Sequence, residues 1–270
     1  MSEAAKHEHL PKRPDEATEP AAQYFRAADR DISLFHFIID TVLASDYVAH
    51  VARRALDDTK EVGNLTPSEL ARTAPGPRTT FLRRQRQALL EMFVSRLVDN
   101  FQTYLVDLVR AVLRSKPQML SSRQRSVSLE MILKYDRMED LLHAVIERKV
   151  TALSYEGFAE LHTWCSERGL DIAVTEEQKA ALVELIATRN VIAHSRGCID
   201  DRYLFAVRAT RFKWGDPRSL EVDDLFAAIR LLHAVVVSTD SSVADKFSLE
   251  RAPLASTEAA SKSRPPESHE

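Results

Sequence analysis

The stretch LLEMFVSRLVDNFQTYLVDLVRAVL, residues 89–113, decides the fold class of this chain. Its apolar residues recur every three or four positions, which is the period of one face of an α-helix. The stripe runs up to Lys116-Pro117, where the proline cannot continue a helix. A helix this long is typical of the centre of a helical bundle. We therefore predict a long helix over residues 79–115 and an all-α protein.

Helical signals continue on both sides of this stripe. Residues 33–56 carry apolar side chains at helical spacing, and Thr66-Pro67-Ser68-Glu69 has the N-cap, proline and acidic first turn of a helix start. Thr175-Glu176-Glu177-Gln178 resembles a capping box, which indicates the start of a helix. Gly169 lies where the preceding helix would end. The later helices are predicted at 128–134, 138–152, 154–168, 175–196 and 219–246.

Little in the chain favours β-structure. Only six glycines occur in 270 residues, and the alternation typical of strands is scarce. The exception is 199–213, where Tyr203, Phe205 and Val207 alternate, and there we expect a short hairpin or an extended loop.

The composition also divides the chain into regions. Residues 1–20 and 248–270 are polar and rich in proline, serine or charge, so we predict disordered tails. Pro75-Gly76-Pro77 is the clearest internal boundary. It separates an N-terminal helical segment, residues 21–78, from a helical domain over residues 79–247.

The overall charge excludes a generally basic, polyanion-binding protein. The net charge is -3, so any nucleic-acid contact must come from a local basic patch. Cys165 and Cys198 match neither a zinc nor a disulfide spacing. No metal site and no cofactor is predicted. No apolar run approaches the roughly 18 residues of a membrane span, and no signal peptide is present, so we expect a cytoplasmic protein without membrane contact.

The run RNVIAH, residues 189–194, carries side chains that could take part in binding or catalysis. Asn190 and His194 are four residues apart and share one helix face. Arg189 lies five residues before His194, about 140° around the axis, so the two converge only in part on one helix. A second copy related by a two-fold axis would bring two arginines and two histidines together. This geometry predicts a homodimer with a composite site.

These residue types suit RNA cleavage without a metal. Histidine titrates near neutral pH and can exchange protons with a 2′-hydroxyl or a leaving 5′-oxygen. Arginine can hold phosphate oxygens in fork geometry, and asparagine can orient the imidazole. A structural alternative stays open, because a histidine in the last helical turn is often only a partner of the helix dipole.

The run LVELIATRNVIAHSRGCIDDRYL, residues 182–204, resembles the HEPN superfamily, in particular its RNxxxH-type members. The layout of helices over 79–247 is similar as well. The resemblance implies an up-and-down helical bundle that dimerises, with Arg189 and His194 as catalytic pair and Asn190 in support. It further implies a metal-independent endoribonuclease that leaves a 2′,3′-cyclic phosphate.

Relatives of this kind often serve as toxins or in defence against phage, so an antitoxin or a defence-complex protein is an implied partner. Arg196 departs from members that carry a tyrosine two residues after the histidine, where a nucleotidyltransferase modifies it. Because many members have lost catalysis, a non-catalytic module that binds RNA, nucleotides or proteins remains the alternative, and a purely structural partner in a defence complex is a third reading.

Basic residues near the motif are the candidate RNA contacts. The first set is Arg196, Arg208, Arg211 and Lys213, and Phe212 and Trp214 interleave with it as aromatics able to stack on a base. A second set comprises Arg83, Arg84, Arg86, Arg123 and Arg125.

Overall fold

The computed structural model describes residues 12–56, 65–120, 127–208 and 210–254. It is 75% helical and confirms the all-α class. The helices of the described residues are α1 (Glu19–Ala55), α2 (Pro67–Thr73), α3 (Pro77–Arg84), α4 (Arg86–Ser115), α5 (Leu129–Leu133), α6 (Met138–Glu156), α7 (Phe158–Ser166), α8 (Glu176–Ser195), α9 (Asp201–Ala206) and α10 (Val222–Phe247). A 3-10 turn, Pro117–Leu120, follows α4.

The apolar stripe of α4 is buried along its whole length, as its period predicts. Each buried leucine, valine or phenylalanine contributes about 1.5–3 kcal/mol relative to an exposed one. The buried members are Leu90, Phe93, Val94, Leu97, Val98, Phe101, Tyr104, Leu105, Leu108, Val109, Val112 and Leu113. The prediction of one helix over 79–115 is wrong at its start, because α3 ends at Arg84 and α4 begins at Arg86.

The longest helix is α1, with 37 residues, rather than α4. It begins at Glu19, inside the segment predicted to be a disordered tail. Just before it, strand β1 (Glu16–Ala17) pairs antiparallel with strand β2 (Ala252–Pro253) of the other predicted tail. Of the two predicted tails, residues 12–20 and 248–254 are therefore ordered. Residues 1–11 and 255–270 lie outside the described residues.

Two hydrogen bonds from Thr18 explain why this N-terminal segment is ordered. Its backbone N–H and its hydroxyl both donate to the carboxylate of Asp240, which lies on α10 and is buried. A buried carboxylate needs such donors, so the two chain ends are held by a polar contact that no local pattern reveals.

The expectation that no segment could span a membrane needs correction for α1. By length and composition this helix is long and apolar enough to cross a membrane, and only 17% of its most apolar window is buried. Core helices of soluble proteins and N-terminal signal sequences satisfy the same criterion. The outward side of α1 exposes Leu34, Phe37 and Val48.

The described chain forms two compact units. Of the described residues, one unit, the terminal unit, contains 12–25, 100–120, 127–179 and 230–254; the other, the motif unit, contains 26–56, 65–99, 180–208 and 210–229. Each unit combines segments that are distant in sequence.

The region after α8 is helical where a hairpin or an extended loop was expected. Asp200 is the N-cap of α9, and its carboxylate accepts the backbone N–H of Tyr203 at 2.9 Å. The Tyr203 side chain is buried with Val191 and Ile199, so capping and core packing override the β-propensity of this segment. A trace of hairpin geometry remains in the isolated antiparallel bridge between Cys198 and Pro217.

The two predicted capping sequences, at Thr66 and Thr175, are confirmed. Thr66 and Glu69 form a reciprocal capping box before α2, with Pro67 at its first turn. At the start of α8, the Thr175 hydroxyl accepts the N–H of Gln178 at 3.2 Å, and the Gln178 side chain accepts the N–H of Thr175 at 3.0 Å. Gly169 adopts a positive φ of 67° after α7, as its predicted role as helix terminator requires.

The start of α3 is capped from another helix. Asp46, buried on α1, accepts the N–H groups of Thr79 at 2.7 Å and Arg78 at 3.3 Å. A Cβ placed on Gly76, the N-cap of α3, would lie 2.4–2.7 Å from this carboxylate, which is why the position requires glycine. Burial raises the pKa of Asp46, but the hydrogen bonds from Thr79 and Arg78 outweigh burial and hold it below its usual value.

We expect Asp46→Asn to lower the free energy of unfolding at pH 7 by about 0.5–2 kcal/mol, the range of a lost helix cap. Because the folded-state pKa is depressed, the carboxylate's contribution is complete above the unfolded value of about 3.9 and is lost as pH falls through the folded value. Urea unfolding of both proteins between pH 7 and pH 3 should show the difference shrinking in acid. A difference independent of pH would contradict this assignment.

Candidate functional site

The last two turns of α8 carry the motif. Thr188 and Val191 are buried in these turns, whereas Asn190 and His194 are exposed. The four-residue spacing places Asn190 and His194 on one face. Arg189 is partly buried, with 26% of its side chain exposed.

Arg189 is held by an aspartate that the sequence did not point to. Its Nε donates to Oδ1 of Asp99, on α4, at 2.8 Å, and its Nη1 donates to Oδ1 of Asn190 at 3.4 Å. The second bond is long, but both fix the plane of the guanidinium. Ninety residues separate Asp99 from Arg189, so no spacing rule could join them.

A second ion pair lies beside the first. Arg96, one turn before Asp99 on α4, donates to Asp31 of α1 at 2.7 Å. Asp31 is buried, and its hydrogen bond and charge, together with the charge of Asp99, raise the pKa of Arg96. Asp99 therefore lies between two guanidinium groups, those of Arg96 and Arg189. Its carboxylate is half-exposed, so one side of the arrangement is open to solvent.

His194 occupies the last turn of α8 and faces solvent. Among the described residues, no side chain pairs with its imidazole. Arg189 and Asn190 are thus joined to each other, while His194 stands apart from them within one chain.

The helix ends in a tight, strained turn directly after His194. Arg196 and Gly197 both have positive φ, 53° and 75°, and the N–H of Gly197 returns to the carbonyl of Val191 at 2.9 Å. A left-handed conformation costs a non-glycine residue about 1–2 kcal/mol. Ser195 donates its hydroxyl to Asp200 at 2.8 Å, which helps to hold this turn. As a result, Arg196 is presented outward beside the motif.

The predicted RNA contacts Arg196, Arg208, Arg211 and Lys213 are all exposed. Of the second set, Arg83 donates to the carbonyl of Ala71 and Arg86 pairs with Glu221, so both have local partners. Arg84 is exposed. Arg123 and Arg125 lie outside the described residues.

The two aromatics of the basic segment have different environments. Phe212 is half-buried and packs edge-on against Tyr203, with ring centroids 6.2 Å apart. Trp214 is 69% exposed. The structure also exposes Phe205, near the end of α9, one of the three residues whose alternation suggested a hairpin or loop.

A polar cluster under this segment holds it on the motif helix. Arg218, whose side chain is 11% exposed, lies 3.6 Å from Glu184 of α8 and 4.0 Å from Asp224. The Tyr203 hydroxyl donates to Glu184 at 3.2 Å. Burial, followed by the charge of Glu184, raises the pKa of Tyr203. These contacts indicate that Glu184 and Arg218 have structural roles.

The described residues contain no group of three or more His, Cys, Asp or Glu side chains that could hold a metal ion. Cys165 is buried, which raises the pKa of its thiol to about 12, and Cys198 is exposed. Neither cysteine lies among the motif residues.

No family model matches the chain, and comparison with curated proteins and with solved structures finds no significant match. The resemblance to HEPN domains therefore rests on residues 182–204 and on the order of the helices, and membership of that superfamily stays a prediction.

Proposed function

We propose that this protein is a metal-independent endoribonuclease whose site is built on Arg189, Asn190 and His194. The observation that carries the proposal is the arrangement at the end of α8. A guanidinium fixed by Asp99 and Asn190 lies on the same helical segment as a solvent-facing imidazole. A fixed cation and a titratable proton carrier are the two elements that phosphodiester cleavage requires.

In the proposed reaction, the ribose 2′-oxygen attacks the adjacent phosphorus. The P–O2′ bond forms, the P–O5′ bond breaks, and the products carry a 2′,3′-cyclic phosphate and a free 5′-hydroxyl. His194 takes the proton of the 2′-hydroxyl, and the leaving 5′-oxygen takes up a proton from water. Arg189 stabilises the negative charge that develops on the non-bridging oxygens. Asn190 keeps the guanidinium in place.

A homodimer would bring His194 of one copy to Arg189 of the other. Within one chain, His194 has no hydrogen bond to Arg189 or Asn190, so a second copy is needed to place an imidazole beside each guanidinium. The exposed apolar side of α1, formed by Leu34, Phe37 and Val48 in the motif unit, supports association, because contiguous apolar surface is usually covered in soluble proteins. A two-fold axis would use the same surface on both copies.

The RNA would lie along the basic segment that follows the motif. Residues 196–218 contain six arginines and lysines against three aspartates, in a chain with a net charge of -3. Arg196, Arg208, Arg211 and Lys213 are exposed and suited to phosphate contact. The patch is local, as the overall charge requires.

A cell that makes such an enzyme must restrain it. We therefore infer a cytoplasmic toxin or anti-phage effector that works with an antitoxin or a defence-complex protein, a role supported by the resemblance of the motif region. Arg196 stands where some antitoxin-paired members carry the modified tyrosine, so the restraint would follow another route.

A second candidate is a non-catalytic module that binds RNA, nucleotides or a protein. It is favoured by the ion pair between Arg189 and Asp99, since the carboxylate already neutralises the guanidinium that would clamp phosphate. The two functions differ in whether RNA is cut.

His194→Ala should abolish RNA cleavage in EDTA, with a rate loss of about 10²–10⁴-fold, because the site loses its proton carrier. Product analysis by gel and detection of cyclic phosphate ends would measure it. His143→Ala is the matched control, since His143 is an exposed histidine of the terminal unit whose contacts with Arg114 and Glu147 are on the surface. Equal cleavage by the His194→Ala protein and the wild type would refute the enzyme.

Mixing inactive Arg189→Ala and His194→Ala proteins should restore part of the activity. Heterodimers would contain one site with an arginine from one copy and a histidine from the other, so up to about half of the dimers gain one complete site. Cleavage by the mixture, with light scattering to measure size, tests this. An inactive mixture of proteins that do exchange subunits would argue against a composite site.

Asp99→Asn should lower kcat by about 10-fold and also lower KM for RNA. The reason is that Arg189 loses the anion that positions it, while its charge becomes available to phosphate. Asp107→Asn is the control, because Asp107 pairs with Arg110 on the same helix but in the terminal unit. Unchanged kcat and KM would show that the ion pair has no part in the reaction.

A further inference from the structure

Trp214 lies in a well-defined turn and yet leaves its ring in solvent. The carboxylate of Asp216 accepts the N–H of Lys213 at 2.7 Å, and Gly215, with a positive φ of 84°, donates its N–H to the carbonyl of Ile199 at 2.8 Å. The N–H of Ile199 in turn donates to the carbonyl of Asp216 at 2.9 Å. The backbone on both sides of Trp214 is thus held in place, while 69% of the residue is exposed.

The packing of this segment is provided by Phe212 instead. Its ring contacts Tyr203, and the guanidinium groups of Arg211 and Arg218 lie 5.3 and 5.1 Å from its centroid. Because Phe212 anchors the segment, Trp214 is not needed for its stability. The other tryptophan of the chain, Trp164, is buried against Arg168 in the terminal unit. The exposed indole is therefore specific to the segment that follows the motif.

The charge around Trp214 indicates what its ring would contact. Lys213 precedes it, and Arg208 and Arg211 lie in the same segment, all exposed. An exposed ring in a segment that carries exposed cations suits a ligand that is itself a polyanion with flat apolar faces. Single-stranded nucleic acid fits this description, since its bases are open to stacking and its phosphates to arginine and lysine.

We propose that Trp214 is a base-stacking site for an unpaired nucleotide, so that the substrate of this protein is single-stranded RNA. Bases within a duplex are already stacked on their neighbours and offer no free face to the indole. The inference rests on the proposed function in that it takes RNA as the ligand. It adds a residue that selects the form of RNA, separate from the residues that would cleave it.

The test uses binding rather than cleavage. Short 2′-O-methyl oligouridine, which has no 2′-hydroxyl to attack, is labelled and titrated with the full-length chain, and anisotropy gives Kd. Trp214→Leu should weaken binding about 5- to 100-fold, the loss of one stacked base, and Trp214→Phe should retain most of the affinity. Tyr155→Leu is the matched control, because Tyr155 is an 87% exposed aromatic of the terminal unit.

Fluorescence gives a second measurement on the unmodified protein. Single-stranded oligouridine should quench the emission of the exposed indole, and a 2′-O-methyl duplex should not. The proposal would be overturned if the wild type and Trp214→Leu had equal Kd, or if strand and duplex quenched equally. It would also be overturned if neither the strand nor the duplex bound. In those cases a protein would be the better candidate ligand for this surface. Loss of cleavage in His194→Ala is independent of these outcomes, so stacking and catalysis can fail separately.

Discussion

The apolar stripe of α4 is the constraint on which the rest of the structure depends. Residues 86–99 of this helix belong to the motif unit and residues 100–115 to the terminal unit, and apolar side chains of each part are buried. Each unit thus takes part of its core from one continuous helix. Because the buried face is fixed by the helical period, the positions of polar residues such as Arg96 and Asp99 are fixed as well. The candidate site depends on this register.

The pairing of Asp99 with Arg189 limits what the site can do. The Asp99 carboxylate, 2.8 Å from Nε of Arg189, orients the guanidinium. Because the arginine side chain is already ordered, binding a phosphate would cost less conformational entropy. The same carboxylate reduces the positive charge available to that phosphate. An exposed ion pair of this kind is weak, typically about 0.2–1 kcal/mol, so a phosphate ligand can compete for the arginine. The same contact with Asp99 therefore positions the Arg189 guanidinium and reduces its positive charge.

The sequence was informative where local rules decide the structure. The capping residues Thr66 and Thr175 marked true helix starts, and the spacing of Asn190 and His194 placed them on one exposed face. The sequence-based predictions failed where contacts between residues distant in sequence determine the structure. Residues 12–20 are ordered by Thr18 and Asp240, and the β-prone residues after α8 become α9 through the Asp200 cap and the burial of Tyr203. The partner of Arg189 was missed because Asp99 lies 90 residues away on another helix.

By itself, the sequence determined the all-α class, most helix positions and the chemical character of the motif. Helical period and capping act over a few residues, so they can be read along the chain. Only the tertiary structure decided that Asp99 holds Arg189, that Phe212 packs while Trp214 stays in solvent, and that strands β1 and β2 pair. These are contacts between segments far apart in sequence, whose meeting depends on the packing of whole helices, and no local pattern encodes them.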